Sequence, residues 1–127
     1  MKEKEKTPKY SLIIIDDMAS SLKDLSILKI LSRMIIKARH INCCFFFTLQ
    51  SYYYFPKILR KQITYMTMFK PKNIEEFYSI AKELFNLNQD DALKLYDYVF
   101  DAPYTHLDVD TVSNTYYKNF NTLSFEN

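Results

Sequence analysis

From Tyr10 to Ile15 the chain runs apolar and β-branched without alternation, then stops at Asp16-Asp17. Such a run predicts a strand covered on both faces. Ser21, with Asp24 three residues on, resembles a capping box that opens a helix. Leu22, Leu25, Leu28, Leu31, Met34 and Ile35 recur at helical spacing through Ala38, and Lys23, Lys29, Arg33 and Lys37 take the wet side. After a link at 39–42, Cys43 to Leu49 is a second continuous apolar strand ending at Gln50, and Pro56 opens a short helix through Arg60. Ile63 to Phe69 predicts a third strand, stopped by Pro71. Asn73 with Glu76 caps a helix carrying Ile74, Phe77, Ile80, Ala81, Leu84 and Phe85, and Asn88 opens another carrying Ala92, Leu95, Tyr96 and Val99. Tyr104 to Val109 and Tyr116 to Phe120 predict a β-hairpin. Residues 1–9 are polar and predict a disordered lead-in. Strand, helix, strand, short helix, strand, helices is the order of an α/β fold with a parallel sheet.

Composition narrows the function. The 127 residues contain no glycine, where average usage of about 7% would supply roughly nine. A Gly-rich phosphate loop, of the Walker A or the dinucleotide type, needs backbone that approaches phosphate closely. A self-contained nucleotide-binding enzyme of either class is therefore excluded. The apolar runs fall well short of the ~20 residues of a membrane span, and no apolar segment follows the charged N-terminus as in a signal peptide. Cys43 and Cys44, the only cysteines, are neighbours and read as reduced thiols of an intracellular protein.

The net charge of +2 conceals an asymmetry: residues 1–72 hold 14 Lys or Arg against 5 Asp or Glu, and residues 73–127 hold 3 against 10. A basic first half suits a polyanion such as nucleotide or nucleic acid. Two solvated faces with no partner would show the same asymmetry.

The sharpest candidate for chemistry is Leu12 to Asp17, an aliphatic strand with two carboxylates at its carboxyl end, where open α/β sheets bind ligands. In P-loop ATPases the first acid of such a pair supports Mg²⁺ and the second polarises the attacking water; a plain turn and helix start is the alternative. Thr48-Leu49-Gln50 puts a polar end on the next strand, and the Gln50 amide both donates and accepts. Arg39 with His40, and Arg60 with Lys61, lie on connections where a guanidinium meets phosphate, although such residues are commonly surface charges. His40, Cys43, Cys44 and His106 lack paired metal-ligand spacing. Tyr52-Tyr53-Tyr54 offers stacking surface for bases or packs in a core or interface.

Taken in order, LIIIDDM (12–18), ARHIN (38–42), FFFTLQSYYYFPKILRK (45–61) and ITYMTMFKPKNIEEF (63–77) resemble the viral genome-packaging ATPases of the FtsK/HerA superfamily, the vaccinia-type enzymes of large nucleocytoplasmic DNA viruses. The similarity covers roughly residues 10–85, with a weaker match over the Tyr104 to Phe120 hairpin. It implies a P-loop NTPase fold of RecA/FtsK type, a mostly parallel sheet with flanking helices, and a C-terminal hairpin. ATP and Mg²⁺ are the implied cofactors. Duplex DNA, a homo-oligomeric ring or complementing P-loop chain, and virion or capsid proteins are the implied partners, in the host-cell cytoplasm (the virus factory) or the virion. By the same resemblance Asp16 matches the Walker B magnesium acid, Asp17 the catalytic acid (Glu in many relatives) and Gln50 the sensor amide. Arg39 and Arg60 match basic positions, either being a candidate trans-acting arginine finger. Ala38 stands where the family often has Gly.

The family's Walker A loop belongs before LIIIDD. The expectation is therefore that residues 10–127 are the C-terminal part of a packaging ATPase domain from the Walker B strand onward, a split or truncated gene product. The competing expectations are a nonenzymatic DNA-binding or assembly remnant, and an inert truncated product.

Overall fold

A computed structural model describes residues 7–125, and the chain divides into two compact units, Met1–Leu59 and Arg60–Asn127. Residues 1–6 of the expected disordered lead-in lie outside the described residues, and residues 7–10 form neither helix nor strand.

The first unit opens with β1, Ser11–Asp16, followed by a 3₁₀ turn at Ser21–Lys23, the helix α1, Leu25–Ile36, and β2, Cys43–Thr48. The strands pair in parallel, in register from Ser11 opposite Cys43 to Asp16 opposite Thr48. A parallel pair needs a crossover between its strands, and α1 supplies it. The helix begins later than the Ser21 capping box predicts. Asp24 is the N-cap, its Oδ1 accepting from the amides of Ser26 at 2.9 Å and Ile27 at 3.4 Å. A carboxylate that satisfies two orphan donors outcompetes a serine three residues earlier. A second 3₁₀ turn, Tyr52–Tyr54, precedes α2, Lys57–Arg60, at the boundary between the units.

β1 departs from the doubly covered strand that its apolar run predicts. Leu12 and Ile14 are 59% and 60% exposed, and Phe46 of β2 is exposed on the same face. The composition of a buried parallel strand is present, but among the described residues β1 has β2 as its one strand partner.

The second unit contains β3, Tyr65–Phe69; α3, Ile74–Ile80, which widens into a π-helical turn at Ala81–Phe85; α4, Gln89–Val99; β4, His106–Asp110; β5, Thr115–Lys118; and β6, Asn121–Thr122. Asn73 and Asn88 cap α3 and α4 as predicted, accepting from the amides of Glu76 at 3.0 Å and Asp91 at 2.8 Å. The π turn inserts a residue into the helical repeat, so Phe85 rather than Leu84 joins Phe77, Ile80 and Ala81 in the core. Phe77 meets Tyr96 and Phe100 edge-on, with centroids 5.3 and 6.0 Å apart, tying α3 to α4.

The expectation of a mostly parallel sheet is met only by β1 and β2. β3 heads a four-stranded antiparallel sheet ordered β3-β4-β5-β6, and the predicted hairpin is its β4–β5 arm. The physical reason is legible in β3: Met68 is buried while Tyr65, Thr67 and Phe69 are exposed. That period-2 pattern belongs to a one-face-covered antiparallel strand. The architecture is a mixed α/β one, with a parallel and an antiparallel sheet.

Lack of glycine has a visible consequence. Among the described residues seven adopt positive φ, and five of these are Asp or Asn: Asp17, Asn42, Asn86, Asn114 and Asn119. Short polar side chains tolerate the left-handed region best after glycine. Tyr104 and Phe120 share the region, at φ 65° and 67°.

Candidate functional site

The parallel register of β1 and β2 brings the acid pair to the polar end of the neighbouring strand. Asp16 lies opposite Thr48, and the Thr48 hydroxyl donates to Asp16 Oδ1. The Asp17 amide donates to the Thr48 carbonyl at 3.0 Å and to Thr48 Oγ1 at 3.2 Å. Asp17 itself sits at φ 50°, so the chain turns sharply where the strand ends. Both acidic side chains are exposed, and among the described residues no other hydrogen bond reaches either carboxylate.

Gln50 is exposed two residues past the end of β2, at the same end of the sheet. Ser51 follows and caps the 3₁₀ turn through its hydroxyl, which accepts from the Tyr53 amide at 3.3 Å. Of the tyrosine run, Tyr52 is buried while Tyr53 and Tyr54 are exposed. Hydrogen bonds thus join Asp16, Asp17 and Thr48, and Gln50 lies past the end of β2 at the same end of the sheet.

The two arginines are placed differently. Arg39 is exposed on the link that enters β2, at the opposite end of the parallel pair. The six-residue strand Cys43–Thr48 separates it from the acids by roughly 16 Å at ~3.3 Å per residue. It therefore lies beyond the reach of its own Asp16 and Asp17. Arg60, in the second unit, has a side chain only 8% exposed, and its Nη1 lies 3.3 Å from Glu83 Oε2 and 3.4 Å from Oε1. This carboxylate holds the guanidinium in place.

Magnesium suits the acid pair by donor chemistry. Carboxylate oxygens are the hard ligands it takes, one or two at a time, with phosphate oxygens and waters completing the octahedron. Two carboxylates do not close a metal cage. Correspondingly, among the described residues no group of three or more His, Cys, Asp or Glu is placed to hold a metal ion.

In the sequence Thr48 is only a polar strand end; its bond to Asp16 emerges from the strand register. A cluster in the second unit was missed altogether. Asp108 on β4 is 0% exposed and accepts from Thr67 Oγ1 at 2.8 Å and the Phe120 amide at 3.0 Å. His106 Nδ1 lies 2.9 Å from Asp108 Oδ1. Its signal was a lone acid between Leu107 and Val109 in a strand, a residue that folds inward only with donors waiting. An open groove of 610 Å³ in that unit, lined by Phe69, Lys70, Phe100, Asp101, Pro103 and Tyr104 among others, contains none of the predicted site residues.

The family model described as Poxvirus A32 protein matches residues 1–119. No curated protein and no solved structure matches the chain.

Proposed function

Because the chain belongs to the poxvirus A32 protein family, whose family-level role is viral genome-packaging ATPase, we propose that it supplies the acid-bearing strand end and the sensor strand of such an enzyme. The observation that carries this reading is the exposed Asp16–Asp17 pair at the carboxyl end of β1, clasped by Thr48 of the parallel neighbour.

Within this reading Asp16 offers its carboxylate to the magnesium ion that accompanies ATP, and Asp17 orients and polarises the hydrolytic water. Bound magnesium supplies positive charge against the phosphates. Gln50 contributes an amide that holds the water or senses the terminal phosphate. Arg39, too far from its own acids, serves a neighbouring copy in a ring, whereas Arg60 stays with Glu83. The phosphate-cradling loop comes from outside these glycine-free residues, in a longer chain or a complementing one. Duplex DNA meets the basic first unit, whose exposed cations include Lys23, Lys29, Arg33, Lys37 and Arg39. The complex works with virion proteins, in the host-cell cytoplasm or the virion; no helix among the described residues is long and apolar enough to cross a membrane. Absence of glycine favours a second reading, a nonenzymatic DNA-binding or assembly protein that keeps the sheet and its charge.

The test is turnover after a P-loop segment is supplied in fusion or in trans. Asp17→Asn keeps size and hydrogen bonding but removes charge, so ATP binding stays near parental while turnover falls on the order of 10²-fold, about 3 kcal/mol of barrier. Asp16→Ala lowers Mg-dependent binding and turnover together. Gln50→Ala behaves as a milder Asp17→Asn. Parental turnover in Asp17→Asn refutes the acid-pair assignment, and failure of any P-loop segment to restore hydrolysis favours the nonenzymatic reading.

A further inference from the structure

Two acids that act on one phosphate–water geometry must be held, yet packing does not hold Asp16 or Asp17, since both side chains are exposed. A single hydroxyl restrains them. Thr48 spends its one proton on Asp16 Oδ1 and accepts the Asp17 amide on a lone pair, so the hydroxyl's single donor and one of its two acceptor sites are committed to the acid pair. Its own χ1 is stiff because the side chain is β-branched, and its backbone is pinned by the β1–β2 ladder. The Asp17 amide also meets the Thr48 carbonyl, which locks the left-handed turn that sets the direction of the second acid.

The geometry points to Thr48 as the positioning residue of this site. Its hydroxyl fixes the Asp16 carboxylate and, through the Asp17 backbone, the aim of the second carboxylate. This leaves Asp16 Oδ2 and both Asp17 oxygens without hydrogen-bond partners among the described residues, turned over to cation and water. The inference rests on the acid-pair reading above, and it names how that pair is organised without a side chain from the phosphate loop.

The test compares Thr48→Val, which removes the hydroxyl at nearly constant shape, with Thr48→Ser, which retains it, in the full 127-residue chain. Three-bond couplings to Asp16 Cγ report its χ1 distribution, and amide exchange reports the Asp17 hydrogen bond. Thr48→Val averages the Asp16 rotamers and speeds Asp17 exchange by roughly fivefold or more. Ile14 and Phe46 amides stay at parental rates, and Thr48→Ser restores both readouts. In the P-loop-complemented enzyme, Thr48→Val lowers kcat by about tenfold with KM for Mg-ATP within about twofold, and Thr48→Ser recovers kcat.

A fixed Asp16 rotamer in Thr48→Val overturns the inference whatever the activity. An averaged rotamer with parental kcat in Thr48→Val overturns it too, while Asp17→Asn still judges the acid pair. Parental kcat in Asp17→Asn overturns the reading beneath it, a failure recognisably separate because the two structural readouts need no nucleotide.

Discussion

Replacing Asp108 tests whether a buried carboxylate organises the antiparallel sheet. Its Oδ1 meets the Thr67 hydroxyl at 2.8 Å and His106 Nδ1 at 2.9 Å, and its Oδ2 accepts from the Phe120 amide at 3.0 Å. These partners sit on β3, on β4 and in the β5–β6 turn, so one side chain ties three parts of the sheet. Asp108→Ala leaves all three partners without their acceptor. Hydrogen bonds to a charged group contribute ~1.5–3 kcal/mol each, and an unsatisfied buried donor costs ~1–3 kcal/mol. With partial relaxation the loss comes to about 4 kcal/mol, a large share of the ~5–15 kcal/mol typical of a domain. Asp108→Asn keeps one oxygen but turns an NH₂ toward a donor, and loses about 2 kcal/mol. Thr67→Val loses about 1 kcal/mol and is non-additive with Asp108→Ala, since both remove the same bond. Urea unfolding, with exchange of the β4 amides to localise the effect to this unit, measures all three. At ~1.5 kcal/mol per molar urea, a loss of about 4 kcal/mol lowers the midpoint by about 2.7 M. A loss below about 1 kcal/mol for Asp108→Ala would refute the tie.

Tyr104 is 93% exposed at φ 65°, so Tyr104→Gly relieves left-handed strain and raises stability by about 0.5–1 kcal/mol; a calorimetric Tm at or below the parental value contradicts this. Asp24→Ala frays the start of α1. The Ser26 hydroxyl, then the Ser26 and Ile27 amides, hold the Asp24 carboxyl below its ordinary 3.8. Because the folded value is depressed, the cap's contribution is complete above the unfolded value and is lost as pH falls through the folded one. Amide exchange along the first turn of α1 therefore depends on acid pH in the parent and much less in Asp24→Ala; equal acid sensitivity rules the cap out. Duplex DNA binds the chain weakly, without sequence preference, and releases as salt rises toward ~0.2 M. Replacing Lys29 and Arg33 by Gln lowers the salt slope by about 2 if both meet phosphate, and an unchanged slope removes this face of α1 from the interface.

Much of the chain is legible locally. Asn73 and Asn88 announce their helices because a cap depends only on the first turn that follows it. The acid pair ends β1 because two adjacent carboxylates stop an apolar run wherever it folds. The absence of glycine likewise excludes a Gly-rich phosphate loop from the sequence alone. What the one-dimensional pattern leaves open is which strand meets which. β3 and β1 are both short and apolar, yet β1 pairs in parallel with β2, and β3 lies antiparallel to β4, 41 residues on at the Thr67–Asp108 contact. Strand pairing is decided by which faces are covered and which polar groups find partners, and those are properties of the assembled fold. For the same reason Thr48 reads as an ordinary strand end until the register sets its hydroxyl on Asp16. Asp108 reads as a charge out of place until a threonine, a histidine and a backbone amide surround it. Arg39 and Arg60 are indistinguishable as basic link residues until tertiary structure leaves one exposed at the far end of the sheet and gives the other to Glu83.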